Sequence, residues 1–108
     1  MITVIIQIAH FSVQVDVYQD TEEWFDIVVK KRGQVLGNGS EGRLIKLSEL
    51  GCVMKQYHLE NFRQTLFSYT IVEYAITKVA SCYKIGPKLL KPFMFDIYCT
   101  KNYMYFFL

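Results

Sequence analysis

Three glycines spaced G-x-G-x-x-G (Gly37, Gly39 and Gly42) sit between two apolar segments, and Lys55 closes a third. No other stretch constrains the chain as much. In a dinucleotide-binding unit such glycines follow a strand and open a helix. Here Arg43, Leu44, Ile45, Lys46 and Leu47 continue as a short apolar run instead. Ser48-Glu49-Leu50-Gly51 then reads as a turn, and Cys52-Val53-Met54 starts another strand. A Walker-type loop needs Lys and Ser or Thr directly after its last glycine, and Arg43-Leu44 stands there. The reading that survives is strand, loop, strand, turn, strand, ending in lysine. Glycines let backbone N–H groups approach phosphate oxygens with no Cβ in the way. A lysine on the neighbouring strand adds a fixed positive charge.

This segment resembles the small lobe of a protein kinase. Residues 35–44 are similar to the glycine-rich loop, with Leu44 in its final valine position. Cys52-Val53-Met54-Lys55 is similar to the V-A-I-K strand. The resemblance covers roughly residues 33–108. It implies that Lys55 pairs with a glutamate on the following helix, a role that Glu73 matches. Ile85-Gly86-Pro87-Lys88-Leu89 resembles the connection from that helix to the next strand in divergent atypical and large-virus kinases. By the same resemblance residues 103–108 form the last strand, and Leu108 sits at or near the gatekeeper position before the hinge.

The implied ligand is ATP, and the implied reaction class is Ser/Thr-type phosphoryl transfer. Leu36, Gly37, Asn38, Gly39, Ser40 and Gly42 would form the loop over the phosphates. Leu44 and Val53 would pack on the adenine, with Leu108 beside it. Lys55 would hold the phosphates, oriented by Glu73, and these two are the implied catalytic residues. However, neither H-R-D-x-x-x-x-N nor D-F-G occurs. In the family the catalytic base and the magnesium ligands lie in the large lobe. The resemblance therefore implies no useful turnover from this chain alone, and magnesium only together with a large lobe. Two readings stay open beside the ATP-binding one: a non-catalytic, pseudokinase-like interaction module or kinase decoy, and an unrelated α+β domain. The apolar end, Tyr105-Phe106-Phe107-Leu108, lacks a polar cap and is expected to expose hydrophobic surface. A missing large lobe or a protein partner would then meet the C-terminal strand.

The expected fold is α+β, an antiparallel sheet with one main helix, in residues 33–108. Residues 1–32 are expected to add strands and a short helix, packed on the lobe as an extra layer or serving as a docking element. Residues 2–8 are apolar and β-branched, and residues 12–17 alternate strictly, which suggests one or two strands. Asp20 followed by Glu23 resembles a capping box, with Trp24, Ile27, Val28 and Lys31 on one side of the helix that follows. Gly33 is expected to end it. The main helix is expected to start near an Asn61 cap, with Phe62, Leu66, Tyr69, Glu73, Ile76 and Ala80 on its apolar stripe. A carboxylate in such a stripe needs a partner unless it reaches solvent at the edge, and Lys55 is the partner that the resemblance implies. Residues 88–90 and 93–98 read as one strand interrupted at Pro92.

A net charge of +2 argues against a nucleic-acid binder held by phosphate neutralisation. The eight Tyr and eight Phe lack an interleaved basic stripe, so they read as core rather than base-stacking platforms. Cys52, Cys82 and Cys99 form no C-x-x-C and read as reduced, buried thiols of an intracellular, cytoplasmic protein. His10 and His58 have no neighbouring ligand types, so no metal site is expected. The first fifteen residues carry no Asp, Glu, Lys or Arg, but they lack a basic start, and Gln7, His10, Ser12 and Gln14 interrupt them. That argues against a signal peptide, and no run is long enough to span a bilayer.

Overall fold

The computed structural model describes residues 1–39, 42–59, 63–86, 89 and 93–108, with the backbone alone for 63–68. The chain is α+β. It has a seven-stranded, mostly antiparallel sheet and two α-helices among these residues. The strands are β1 (Ile2–Ile8), β2 (Phe11–Gln19), β3 (Gln34–Asn38), β4 (Arg43–Leu47), β5 (Cys52–His58), β6 (Ile97–Cys99) and β7 (Tyr103–Phe107). The helices are α1 (Trp24–Arg32) and α2 (Arg63–Cys82). In space the strands run β1-β2-β6-β7-β5-β4-β3. Every pairing is antiparallel except β2 with β6, which is parallel.

The two helices lie against opposite faces. Strand β7 shows why the sheet needs both. Met104 and Phe106 point into the α2-side core with Val13, Val15, Val17, Tyr57, Tyr74 and Ile97. Tyr105 and Phe107 point into the α1-side core with Phe25, Val29, Ile45, Met54 and Tyr98. A strand covered on both faces reads as an unbroken apolar run. This overturns the expectation of an exposed apolar end: Met104 to Phe107 are at most 1% exposed. Both edges of β7 are also paired, to β5 and β6, which leaves no strand edge there for a partner.

The N-terminal residues form two strands, not one, and they widen the sheet instead of layering over it. Strand β2 alternates as its sequence does, with Val13, Val15 and Val17 buried. The β1–β2 turn has Ala9 at φ 53°, a left-handed conformation that strains a residue with a Cβ. Ala9→Gly is therefore expected to raise stability by about 0.5–1 kcal/mol and the melting temperature by a few degrees. An unchanged or lower melting temperature would show that the turn carries no such strain.

Helix α1 corrects two expectations. Its N-cap is Glu23, with no side-chain cap. Asp20 instead accepts the Glu22 N–H at 3.0 Å and the Tyr98 hydroxyl at 2.5 Å, tying the approach to α1 down onto β6. The Tyr98 hydroxyl also holds the Asp20 carboxyl below its ordinary value. The buried side is Phe25 and Val29, spaced i, i+4, while Trp24 and Ile27 are about half exposed. Lys30, Lys31 and Arg32 occupy the last turn, where cations suit the helix dipole. Gly33 ends α1 with extended backbone, and glycine is required by crowding: a Cβ there would meet the Val29 carbonyl oxygen at 2.5 Å.

Helix α2 buries Thr70, Ile71, Tyr74 and Ala75, while Tyr69 and Ile76 of the expected stripe are about half exposed. The face is rotated because packing on β1, β2 and β7 selects which of the apolar residues are covered. Asn61 and Phe62 lie outside the described residues, and the Leu66 side chain is not described. Lys84, at φ 59°, closes α2: its N–H reaches the Ser81 carbonyl and the Ile85 N–H reaches the Ala80 carbonyl, a Schellman arrangement.

The expected strand over 93–98 is also shorter, starting at Ile97. Before it, the Asp96 N–H still donates to the Asp16 carbonyl, but the Asp16 N–H goes to the buried Asp96 carboxylate at 2.8 Å, so a side chain takes half of the ladder's place. Cys52 and Cys99 are buried as expected, whereas Cys82 is exposed. Burial pushes the Cys52 thiol above its ordinary value. Among the described residues no helix is long and apolar enough to cross a membrane.

Candidate functional site

Strands β3, β4 and β5 form three consecutive antiparallel strands, and their register assembles the site. Leu44 on β4 lies opposite Lys55 on β5, which lies opposite Phe106 on β7. Directly opposed residues share a face, so these three form one row on the α2 side of the sheet. The next row is Lys46, Val53 and Leu108. Lys46 pairs with Val53, and the Leu108 N–H donates to the Val53 carbonyl at 2.8 Å. Leu44, Val53 and Leu108 are half-buried. Among the described residues α2 packs mainly on β1, β2 and β7.

Lys55 reaches α2. Its Nζ lies 2.5 Å from Glu73 Oε1, and the two side chains are 32% and 25% exposed. The pair is therefore neither deeply buried nor free in solvent. The ammonium also stands 5.4 Å from the Tyr57 ring centroid and 6.0 Å from that of Phe106, within cation–π range. The second Glu73 oxygen, Oε2, accepts a short hydrogen bond from the Tyr57 hydroxyl. Sequence reading missed this contact. Its signal was present: Tyr57 follows Lys55 by two on one strand, so both side chains leave the same face.

The glycines separate into two kinds. At Gly42 a Cβ would meet the Gln56 carbonyl oxygen at 2.8 Å and the Tyr57 ring at 3.2 Å, so the fold itself forbids a side chain. At Gly37 and Gly39 the nearest atoms to a Cβ would lie at 3.9 and 3.4 Å, ordinary contact distances. Among the described residues nothing in the packing demands glycine at those two positions. Gly37 pairs with Leu44, Asn38 pairs with Arg43, and the Gly39 N–H donates to the Gly42 carbonyl at 2.8 Å. Leu36 sits at the register shift in β3 and is half exposed. Ser40 lies outside the described residues.

A cleft of about 400 Å³ occupies the opposite face, between α1 and β3–β5, with Glu23, Asp26, Lys30, Arg43 and Gln56 in its lining. Its polar floor is a connected network. Arg43 donates to Gln56 Oε1, Gln56 to the Tyr105 hydroxyl, and both Tyr105 and Thr100 to Asp26. Among the described residues no buried side-chain nitrogen or oxygen lacks a partner. Lys55 lies on the other side of the sheet.

No family model matches the chain, and no curated protein or solved structure matches it.

Proposed function

We propose that the chain presents a nucleotide-binding small lobe of the protein-kinase kind, with ATP as its ligand and no phosphoryl transfer from these residues alone. The contact between Lys55 on β5 and Glu73 on α2 carries this reading. A half-buried ion pair between a central strand and a helix, beside half-buried apolar side chains, holds an ammonium group in a fixed place with donors to spare. The elements also follow the order that the resemblance implies: hairpin, lysine strand, glutamate helix, then two closing strands.

Further support comes from the surface beside the pair. Leu44, Val53 and Leu108 offer a half-buried apolar bed suited to a purine. Gly37 and Gly39, which the packing does not require, keep the β3–β4 backbone open to phosphate oxygens. In this reading Lys55 binds the phosphates, and Glu73 positions it while Tyr57 holds Glu73.

The test is a thermal-shift titration with ATP, with and without magnesium, beside Lys55→Met. At a concentration ten times Kd, a ligand that binds only the folded state adds about 1.4 kcal/mol, or roughly 5 °C or more for a chain this small. The native chain is expected to show that shift, and Lys55→Met, folded by circular dichroism, is expected to lose it. An equal shift in the variant would reject the role of Lys55. No shift in the native chain at millimolar ATP would reject the nucleotide reading in favour of a non-catalytic interaction module.

A further inference from the structure

The sheet has two outer strands, and they differ. Strand β3 is five residues long, contains a glycine, and breaks register between Val35 and Gly37. Bulges and short length blunt an edge against pairing. Strand β1 has none of these protections. It is seven residues long, pairs with β2 in unbroken register, and contains no charge, glycine or proline. As the terminal strand of the sheet, it turns the N–H and C=O of every second residue outward. Val4, Ile6 and Ile8 pack only partly against the α2-side core, and Ile2 and Ile5 are 41% and 60% exposed.

The sequence of β1, Ile2-Thr3-Val4-Ile5-Ile6-Gln7-Ile8, is complementary to itself when reversed. An antiparallel copy turned about Ile5 sets Ile2 opposite Ile8, Val4 opposite Ile6, Thr3 opposite Gln7, and Ile5 opposite itself. Opposed residues share a face, so the stripe of Ile2, Val4, Ile6 and Ile8 on the α2 side continues across both copies. On the other face the Thr3 hydroxyl already donates to Asp16 at 2.8 Å, which leaves its lone pairs to accept from the Gln7 amide of the second copy. A shift of one residue would bring the apolar stripe onto the polar face. A shift of two would oppose Thr3 to Ile5. The first charged residue is Asp16, so no like charges meet along the seam.

We propose that this chain forms a two-fold dimer in which β1 pairs antiparallel with β1 of a second copy, joining the two sheets into one continuous sheet. Such a contact is isologous and closes on itself, so assembly stops at two. It lies at the far edge of the sheet from the Lys55 site and stands independently of the nucleotide reading.

Sedimentation velocity and light scattering test the dimer directly. The native chain is expected to show twice its 12.7 kDa mass at high-micromolar concentration. Ile5→Lys sets two ammonium groups against each other on the axis and is expected to weaken association by roughly a hundredfold. Ile5 is largely exposed, so an unchanged melting temperature is expected to show that the variant folds. Register is tested with a short bis-maleimide in a Cys82→Ser background, since Cys82 is the exposed native thiol. Ile5→Cys is expected to cross-link between copies, as is Thr3→Cys combined with Gln7→Cys, whereas Thr3→Cys alone is not. A native monomer at these concentrations, a dimer undisturbed by Ile5→Lys, larger open assemblies, or cross-linking through Thr3→Cys alone would each overturn the proposal.

Discussion

Asp96→Ala is expected to destabilise the fold by about 3–5 kcal/mol, a large share of the 5–15 kcal/mol that holds a domain of this size together. The Asp96 side chain is 1% exposed. Its Oδ1 accepts the Tyr74 hydroxyl at 2.9 Å, and its Oδ2 accepts the Asp16 N–H at 2.8 Å. Lys78 Nζ lies 3.8 Å from Oδ1, and the Asp96 N–H donates to the Asp16 carbonyl. One carboxylate thus joins α2, β2 and the entrance to β6. Alanine would strand two buried donors and leave a void. Tyr74→Phe removes only one donor and is expected to cost about 1–2 kcal/mol. Urea denaturation with an unchanged m-value distinguishes the two, because a shift in midpoint alone reports stability. If the Asp96 variant lost less than the Tyr74 variant, the carboxylate would not be the joint described.

The fold is also expected to melt in alkali. Burial, followed by the neighbouring Asp96, pushes the Tyr74 hydroxyl far above its ordinary value of 10.0. Burial and the hydrogen bond to Asp26 do the same for Tyr105, and burial and Asp20 do so for Tyr98. A raised folded-state value means that the contribution is complete below pH 10, the value of the unfolded chain. It is lost as the pH rises above 10, because only the unfolded chain then releases these protons readily. Tyr74 and Tyr105 each remove up to about 1.4 kcal/mol per pH unit in that range, and Tyr98, nearer the surface, adds less. The expected result is cooperative unfolding between roughly pH 10.5 and 12, with part of the tyrosinate absorbance at 295 nm appearing only as the circular dichroism collapses. Smooth ionisation of all eight tyrosines with the fold intact would contradict these environments.

How much of this was legible in the sequence depended on the range of the forces involved. The β3–β4–β5 run was readable because turn chemistry and alternation are local: Gly51 takes φ 64° where Ser48-Glu49-Leu50-Gly51 signals a turn. That Glu73 needs a partner was readable because an acid in a helical apolar stripe is costly to leave unpaired, whereas Lys55 as that partner came from the family resemblance alone. The α2 stripe itself was misread by a fraction of a turn, because Tyr69 and Ile76 are as apolar as Ile71 and Tyr74, and only the sheet decides which pair it covers. Asp20 and Glu23 resembled a cap, but Tyr98 competes for Asp20 from far along the chain. Strand β7 looked like an exposed end because its central position depends on partners from both halves of the sequence. Tyr57 was missed as the holder of Glu73 because it reads first as another core aromatic.

The parallel seam between β2 and β6 has a consequence in time. Asp16 meets Asp96 across 80 residues of chain, a closure whose entropic cost is on the order of 4 kcal/mol for a flexible loop. Hairpins such as β1–β2 and β3–β4 close locally and form in microseconds, whereas distant pairings wait for the intervening chain. During synthesis Val13, Val15 and Val17 are made well before Ile97 and Tyr98, the strand that pairs with β2. The β1–β2 hairpin must therefore hold its register with the outer edge of β2 unpaired until β6 has been made, while α2, which covers its apolar face, is made in between.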